Sequence, residues 1–95
     1  MREYEVMAIL DPEADEQKVN GVVDRITQIL SERGGDVSNV DRMGRRRLAH
    51  GINRRSEGIY VLVVFKSEPE ALAELDRVLS LADEVIRFKI IRKAA

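Results

Sequence analysis

Two segments with the apolar spacing of helices are interspersed among four strand-like segments in this chain of 95 residues. One face of the first helical segment, 15–33, consists of Val19, Val22, Val23, Ile26, Ile29 and Leu30. Asp15 can cap its start, and Gly34-Gly35 can end it in a left-handed conformation. The second segment follows Ser67 and Glu70, which have capping-box spacing. Its apolar face comprises Leu72, Leu75, Val78 and Leu79.

The other four segments have strand patterns. Residues 4–10 precede Asp11-Pro12, and 59–66 are apolar on both faces, which predicts a central strand. The segment 36–52 breaks strict alternation, so we expect a long strand that is bulged or lies at a sheet edge, followed by a loop at 53–58. The last strand, 85–92, alternates. Its apolar side contains Ile86, Phe88 and Ile90, and its polar side contains Arg87 and Lys89.

The element order is therefore β-α-β-β-α-β in one α+β domain spanning 1–95. Right-handed crossovers convert that order into a four-stranded antiparallel sheet with both helices on one face. The other face of the sheet is left open. The 44% apolar content is sufficient for a globular core of modest size.

Charge is segregated along a chain whose formal net charge is only −1. Six of the fourteen residues in 42–55 are arginine, and 87–95 contain four basic residues and no acidic residue. Arginine at this density indicates an anionic partner, and its planar guanidinium suits phosphate. Two alternatives remain open for the 45–47 arginines: a solvated edge that resists aggregation, or contact with an acidic protein.

Strand geometry divides these arginines between faces. Neighbouring residues of a strand point to opposite faces, so Arg45 and Arg47 should share one side and Arg46 the other. Arg87 and Lys89 should share the polar side of the last strand, with Lys93 beyond them. Since the last strand should lie next to the first, we expect Arg2 near Arg87 and Lys89.

Catalytic and metal-binding patterns have little support. There is no cysteine, and the one histidine, His50, has no evident partner for metal binding or acid–base chemistry. Glu3 and Glu5 share a strand face, without a nucleophile motif beside them. We expect no enzyme activity, no metal and no cofactor. The start of the chain lacks the apolar core of a signal peptide, and the longest apolar run, 59–65, is too short to span a membrane.

RNA-recognition modules with the same element order stack bases on aromatic residues of the third strand. Here Gly58 and Phe65 fit that strand loosely, but aliphatic residues occupy the stacking positions. Any RNA would therefore be bound mainly through phosphates, sugars and shape.

Several motifs resemble the bacterial small-subunit ribosomal protein six family. They are the opening 1–6 (Met-Arg-Glu-Tyr-Glu-Val), 44–52 (Gly-Arg-Arg-Arg-Leu-Ala-His-Gly-Ile), 58–61 (Gly-Ile-Tyr-Val) and 85–92 (Val-Ile-Arg-Phe-Lys-Ile-Ile-Arg). The resemblance covers essentially the whole chain in order and spacing. Two residues depart from the family pattern: His50 stands where tyrosine is usual, and Gly51 where proline or another non-glycine residue is common.

The resemblance implies a ferredoxin-like fold and a cytoplasmic location in the ribosome. It also implies binding to the central domain of small-subunit ribosomal RNA, with ribosomal protein eighteen as heterodimer partner. The implied RNA-binding residues are Arg2, Arg45, Arg46, Arg47, Arg87, Lys89 and Arg92. The implied protein-partner interface consists of Leu48, His50, Ile52, Arg54 and Arg55. From the residues alone, a protein-interaction module without RNA and a small-molecule regulatory domain remain alternatives.

Overall fold

The computed structural model describes the backbone of residues 1–52 and 55–93, and the side chains of 1–47 and 57–93. The elements, in chain order, are β1 (Arg2–Leu10), α1 (Glu16–Glu32), β2 (Asp36–Ile52), β3 (Arg55–Ser67), α2 (Glu70–Leu81) and β4 (Val85–Arg92). The strands form one antiparallel sheet in the order β2-β3-β1-β4. The predicted element order and sheet are confirmed.

Both helices pack against one face of the sheet, and the core lies between these two layers. Alternate residues of the two central strands are buried there: Tyr4, Val6, Ala8 and Leu10 from β1, and Val61, Val63 and Phe65 from β3. The six predicted apolar residues of α1 are all buried against them. This pattern follows from the strand period of two and the helix period of 3.6 residues.

The start and end of α1 follow the local chemistry predicted from the sequence. The Asp15 carboxylate accepts a hydrogen bond of 2.9 Å from the Lys18 backbone N–H, as an N-cap residue does. After the helix, Gly34 has a φ of +76°, a conformation that costs residues with a Cβ about 1 kcal/mol or more. The Gly35 N–H then donates to the Leu30 carbonyl at 2.7 Å.

The predicted cap of α2 is wrong. Ser67 is fully buried at the end of β3, and its hydroxyl donates to the Glu68 carbonyl. Pro69 occupies the N-cap position without a side-chain cap. Ser67 cannot cap the helix because two residues separate it from the first helical residue, Glu70. The buried residues of α2 are Ala71, Leu75 and Leu79, with Leu72 and Val78 packed at the margin of the core.

Two strand details also differ from prediction. β3 begins at Arg55, so the predicted loop was wrong for 55–58, while 53–54 lie outside the described residues. In β4 the register shifts between the partners of Ile9 and Leu10. As a result Val85, rather than Ile86, joins Phe88 and Ile90 against the core.

β2 is an edge strand with three irregularities, as its broken alternation predicted. Register shifts occur between Val37 and Asn39, between Arg42 and Gly44, and between Arg47 and Ile52. At the second shift Gly44 has a φ of +83°. A bulge of this kind bends the strand and increases its twist.

Candidate nucleic-acid interface

The register of β2 places its arginines on two faces. Arg45, Arg46 and Arg47 pair in succession with Ile59, Gly58 and Glu57 of β3. Arg45 and Arg47 therefore point to the side of the sheet that carries the helices, and Arg46 points to the open face. This division confirms the predicted one, and the three arginines cannot all contact one flat surface.

Contacts within the protein distinguish these arginines further. The Arg42 Nη2 donates to the Asn20 Oδ1 of α1 at 3.0 Å, and the Arg45 Nη2 donates to the Pro12 carbonyl at 2.7 Å. Within the described part of the chain, Arg46 and Arg47 are exposed and make no side-chain hydrogen bond or ion pair. Their guanidinium groups therefore have their donors available for an external anion.

β4 contributes a second set of cations. Arg87 lies opposite Ile9 and Lys89 opposite Met7, so both exposed side chains point to the open face. Lys93 lies beyond them, where its Nζ is 4.0 Å from the Glu3 carboxylate. The predicted polar side of the last strand is confirmed.

Arg2 does not join Arg87 and Lys89, so that expectation was wrong. β1 and β4 are neighbours, but they run antiparallel, with Tyr4 opposite Arg92 and Ile9 opposite Arg87. Seven residue-to-residue steps along β1 therefore separate Arg2 from the level of Arg87, about 23 Å along the strand. Arg2 instead lies near Arg92 at the opposite end of the sheet.

The open face has an apolar centre that the sequence reading did not identify as a surface. Its half-buried members are Met7, Ile9, Tyr60, Leu62 and Val64. The signal was the apolar run in 59–66, which predicted burial on both faces of β3. In the described structure the helices cover only one of those faces. Contiguous exposed apolar surface of this kind is typical of protein-binding sites.

The predicted protein-partner residues fall where side chains are not described. Leu48, His50 and Ile52 lie in β2, and Arg55 begins β3 opposite Ile52. Arg54 lies outside the described residues altogether. The structure places the backbone of the other four in the long β2–β3 hairpin.

The helical side of the molecule is predominantly acidic. Its exposed acidic residues include Glu16, Asp24, Glu32, Glu70 and Asp76. On α2 the Arg77 guanidinium hydrogen-bonds to Glu74, which lowers the pKa of the Glu74 carboxyl. Arg46, Arg87 and Lys89 are therefore free cations on the open face, away from the acidic helices, whereas Arg47 lies on the helical side of β2.

Among the residues that the structure describes, no helix is long and apolar enough to cross a membrane. Within the same ranges, no group of three or more histidine, aspartate or glutamate side chains is placed to hold a metal ion.

Comparison with known proteins identifies the class of the chain. The family model described as Ribosomal protein S6 matches residues 3–92. The small ribosomal subunit protein bS6 of Desulforamulus reducens is 48% identical over 93 residues, covering 98% of both chains. The crystal structure of the 30S ribosomal protein S6 of Thermotoga maritima superposes with a TM-score of 0.89 at 33% identity, over 97% of this chain and 87% of the other.

The fold alone would not have decided the function. The C-terminal domain of the MgtC protein of Mycobacterium tuberculosis shares it with a TM-score of 0.66 at 15% identity, over 98% of this chain and 88% of that chain. The sequence matches are specific, however, and they place the chain in the class of small-subunit ribosomal proteins, which are structural constituents rather than enzymes. It belongs to the Ribosomal protein S6 family. The ferredoxin-like fold and the ribosomal location implied by the sequence motifs are thereby confirmed.

Proposed function

We propose that this protein binds the central domain of small-subunit ribosomal RNA together with ribosomal protein eighteen, and so helps to assemble the subunit. The observation that carries the proposal is a group of six exposed cations on β1, β2 and β4 whose side chains have no hydrogen bond or ion pair in the described structure. They are Arg2, Arg46, Arg47, Arg87, Lys89 and Arg92. All six are among the residues implied by the family resemblance.

The separation of charge supports RNA as the anion. Acidic residues cover the helices, so a polyanion is repelled from that side and attracted to the strands. On the open face Arg46 and Arg87 lie three strand spacings apart across the sheet, about 14 Å. That separation allows them to contact different phosphates of one RNA segment.

Two surfaces support the protein partner. One is the β2–β3 hairpin, whose outer strand has an unpaired edge in the described sheet, with the proposed contacts at Leu48, His50, Ile52, Arg54 and Arg55. The other is the apolar centre of the open face. A second protein that covers both would bury exposed apolar area and leave the cations at the margins for RNA.

The test removes one free cation from each basic strand. We expect Arg46→Ala combined with Arg87→Ala to weaken binding to a central-domain RNA fragment in the presence of ribosomal protein eighteen. Each lost phosphate contact should also reduce the slope of log affinity against log salt concentration by about 0.7–0.9. Filter binding or fluorescence anisotropy at four salt concentrations measures both quantities.

The matched control is Lys18→Ala combined with Arg33→Ala, which removes from the helical side two exposed cations that make no side-chain hydrogen bond or ion pair in the described structure. Because the net charge changes equally, only the location of the cations differs. A salt slope that is the same for both double variants would contradict the proposed interface. Binding to random RNA as tight as to the central-domain fragment would contradict specific recognition.

A protein-interaction module without RNA is the second candidate, since the β2 edge is open to strand addition. In that case ribosomal protein eighteen would bind this protein in the absence of RNA, and adding RNA would not change the affinity between the two proteins. Binding of the pair to RNA that is tighter than binding of either protein alone distinguishes the proposed function from this alternative.

A further inference from the structure

The β2–β3 hairpin projects past the rest of the sheet. β1 pairs with β3 as far as Ile59, which lies opposite Leu10. Beyond that point the described pairs are Arg46 with Gly58, Arg47 with Glu57 and Ile52 with Arg55, and we call 46–52 and 55–58 the hairpin extension. A two-stranded ribbon in isolation is marginally stable, so the direction of the extension depends on contacts near its base.

The base of the extension lies next to a bend. The register shift between Arg42 and Gly44 leaves Met43 as the extra residue, and Gly44 follows with its left-handed φ. Because a bulge bends and twists its strand, the regular ladder on either side does not by itself fix the angle at which the extension leaves the sheet.

Arg45 connects the extension to the body of the protein directly after this bend. Its Nη2 donates to the Pro12 carbonyl in the β1–α1 connection at 2.7 Å. Its Nη1 is 3.8 Å from the carboxylate of Glu57, which lies in the extension. Before the bend, Arg42 donates to Asn20 of α1, so side-chain contacts hold β2 on both sides of the bulge.

We infer that Arg45 is a positioning residue, which sets the direction of the hairpin extension, and that Arg46 and Arg47 are the residues of this triplet that contact phosphate. Arg45 is thereby separated from the other implied RNA-binding residues. The consequence for RNA binding rests on the proposed function, whereas the positioning role is a property of the free protein.

Hydrogen exchange of the free protein tests the positioning role directly. We expect Arg45→Gln to accelerate amide exchange in the hairpin extension by roughly threefold to tenfold. An acceleration of that size corresponds to the stabilisation lost with one hydrogen bond of modest net strength. Arg46→Gln should leave exchange unchanged, because the Arg46 side chain makes no hydrogen bond or ion pair in the described structure. Arg45→Lys should restore part of the protection, since an ammonium group can still donate to the Pro12 carbonyl.

Salt-dependent binding of the same variants to the central-domain RNA, with ribosomal protein eighteen present, separates positioning from phosphate contact. Arg45→Gln should weaken binding without changing the salt slope, and Arg46→Gln should reduce the slope by about 0.7–0.9. Wild-type exchange in Arg45→Gln, or a slope reduced as much as by Arg46→Gln, would overturn the inference and leave the RNA interface intact. If no variant alters RNA binding, the proposed function fails, and the exchange rates alone decide the role of Arg45.

Discussion

The rings of Tyr4 and Phe65 are stacked between the two central strands, with their centroids 5.7 Å apart and their planes at 27°. The two residues are direct register partners of β1 and β3, and both are buried. They are half of the four aromatic residues in the chain. Phe65 is also the largest of the fully buried side chains that the structure describes, so this pair joins the central strands through a bulky contact in the core.

Replacing Phe65 by alanine should lower the free energy of unfolding by about 3–5 kcal/mol, because the variant loses apolar burial and leaves a cavity beside Tyr4. Phe65→Leu should cost less, since most of the volume is retained. Urea unfolding followed by circular dichroism measures both. A cost below about 1 kcal/mol for Phe65→Ala would mean that the stacked pair does not anchor the core.

Substitution by alanine should change the stability of the fold in opposite directions at two glycines. A Cβ at Gly35 would lie 2.9 Å from the Lys66 carbonyl oxygen and 3.0 Å from that of Leu30, so Gly35→Ala should destabilise the fold. Gly21 lies within α1 with nothing within 4 Å of its Cβ position. Gly21→Ala should therefore stabilise the protein by up to about 1 kcal/mol. Thermal unfolding of the two variants provides the comparison, and a stabilised Gly35→Ala would contradict the close approach of β3.

Most of the fold could be predicted because its signals are local. The six apolar residues of α1, the Asp15 cap and the alternation of β1 each follow from spacing within one element. The start of β3 and the position of Ser67 could not be predicted in this way. Pairing across the hairpin extends β3 back to Arg55, and that pairing is a tertiary effect with no local sequence signal.

The candidate site was predictable in composition but not in arrangement. The alternation of side chains along a strand was enough to predict that Arg46 lies on one face of the sheet and Arg45 and Arg47 on the other. The distance between Arg2 and Arg87 required the register of β1 and β4, which the sequence does not specify locally. The hydrogen bond from Arg45 to the Pro12 carbonyl joins residues 33 positions apart, directly after the bend at Gly44.

The Glu74–Arg77 pair should show a measurable pH dependence. A hydrogen bond from Arg77 lowers the pKa of Glu74 in the folded protein. The pair therefore contributes stability above the unfolded pKa of this carboxyl, and the contribution is lost as the pH falls through the lower folded pKa. Arg77→Gln should raise the pKa of Glu74 towards its ordinary value, which NMR titration of the carboxyl carbon detects.

Arg33→Gln is the control for that titration. Arg33 acts on Glu74 only through its charge and is the smallest of the causes that shift the pKa. Its removal should therefore change the pKa of Glu74 less than the removal of Arg77. Equal changes in the two variants would indicate that general charge, rather than the hydrogen bond, lowers the pKa.

The apolar centre of the open face should be part of the surface that binds ribosomal protein eighteen. Leu62 lies opposite Met7 near the middle of this surface and is only half-buried in the chain alone. Leu62→Glu should therefore destabilise the fold only modestly, through repulsion from Asp41, its register partner in β2. In the complex it would bury a carboxylate without a partner, so we expect association to weaken by roughly tenfold or more.

Gln17→Glu adds the same charge at an exposed position in the first turn of α1, where the helix dipole tolerates an acid. Isothermal titration of the two variants with ribosomal protein eighteen should show weakened binding for Leu62→Glu and wild-type affinity for Gln17→Glu. Equal affinities would remove the open face from the interface and leave the β2–β3 hairpin as the docking surface. If the affinity for ribosomal protein eighteen falls only in Leu62→Glu, the partner must cover β3 and β1, because Leu62 lies away from the outer edge of β2.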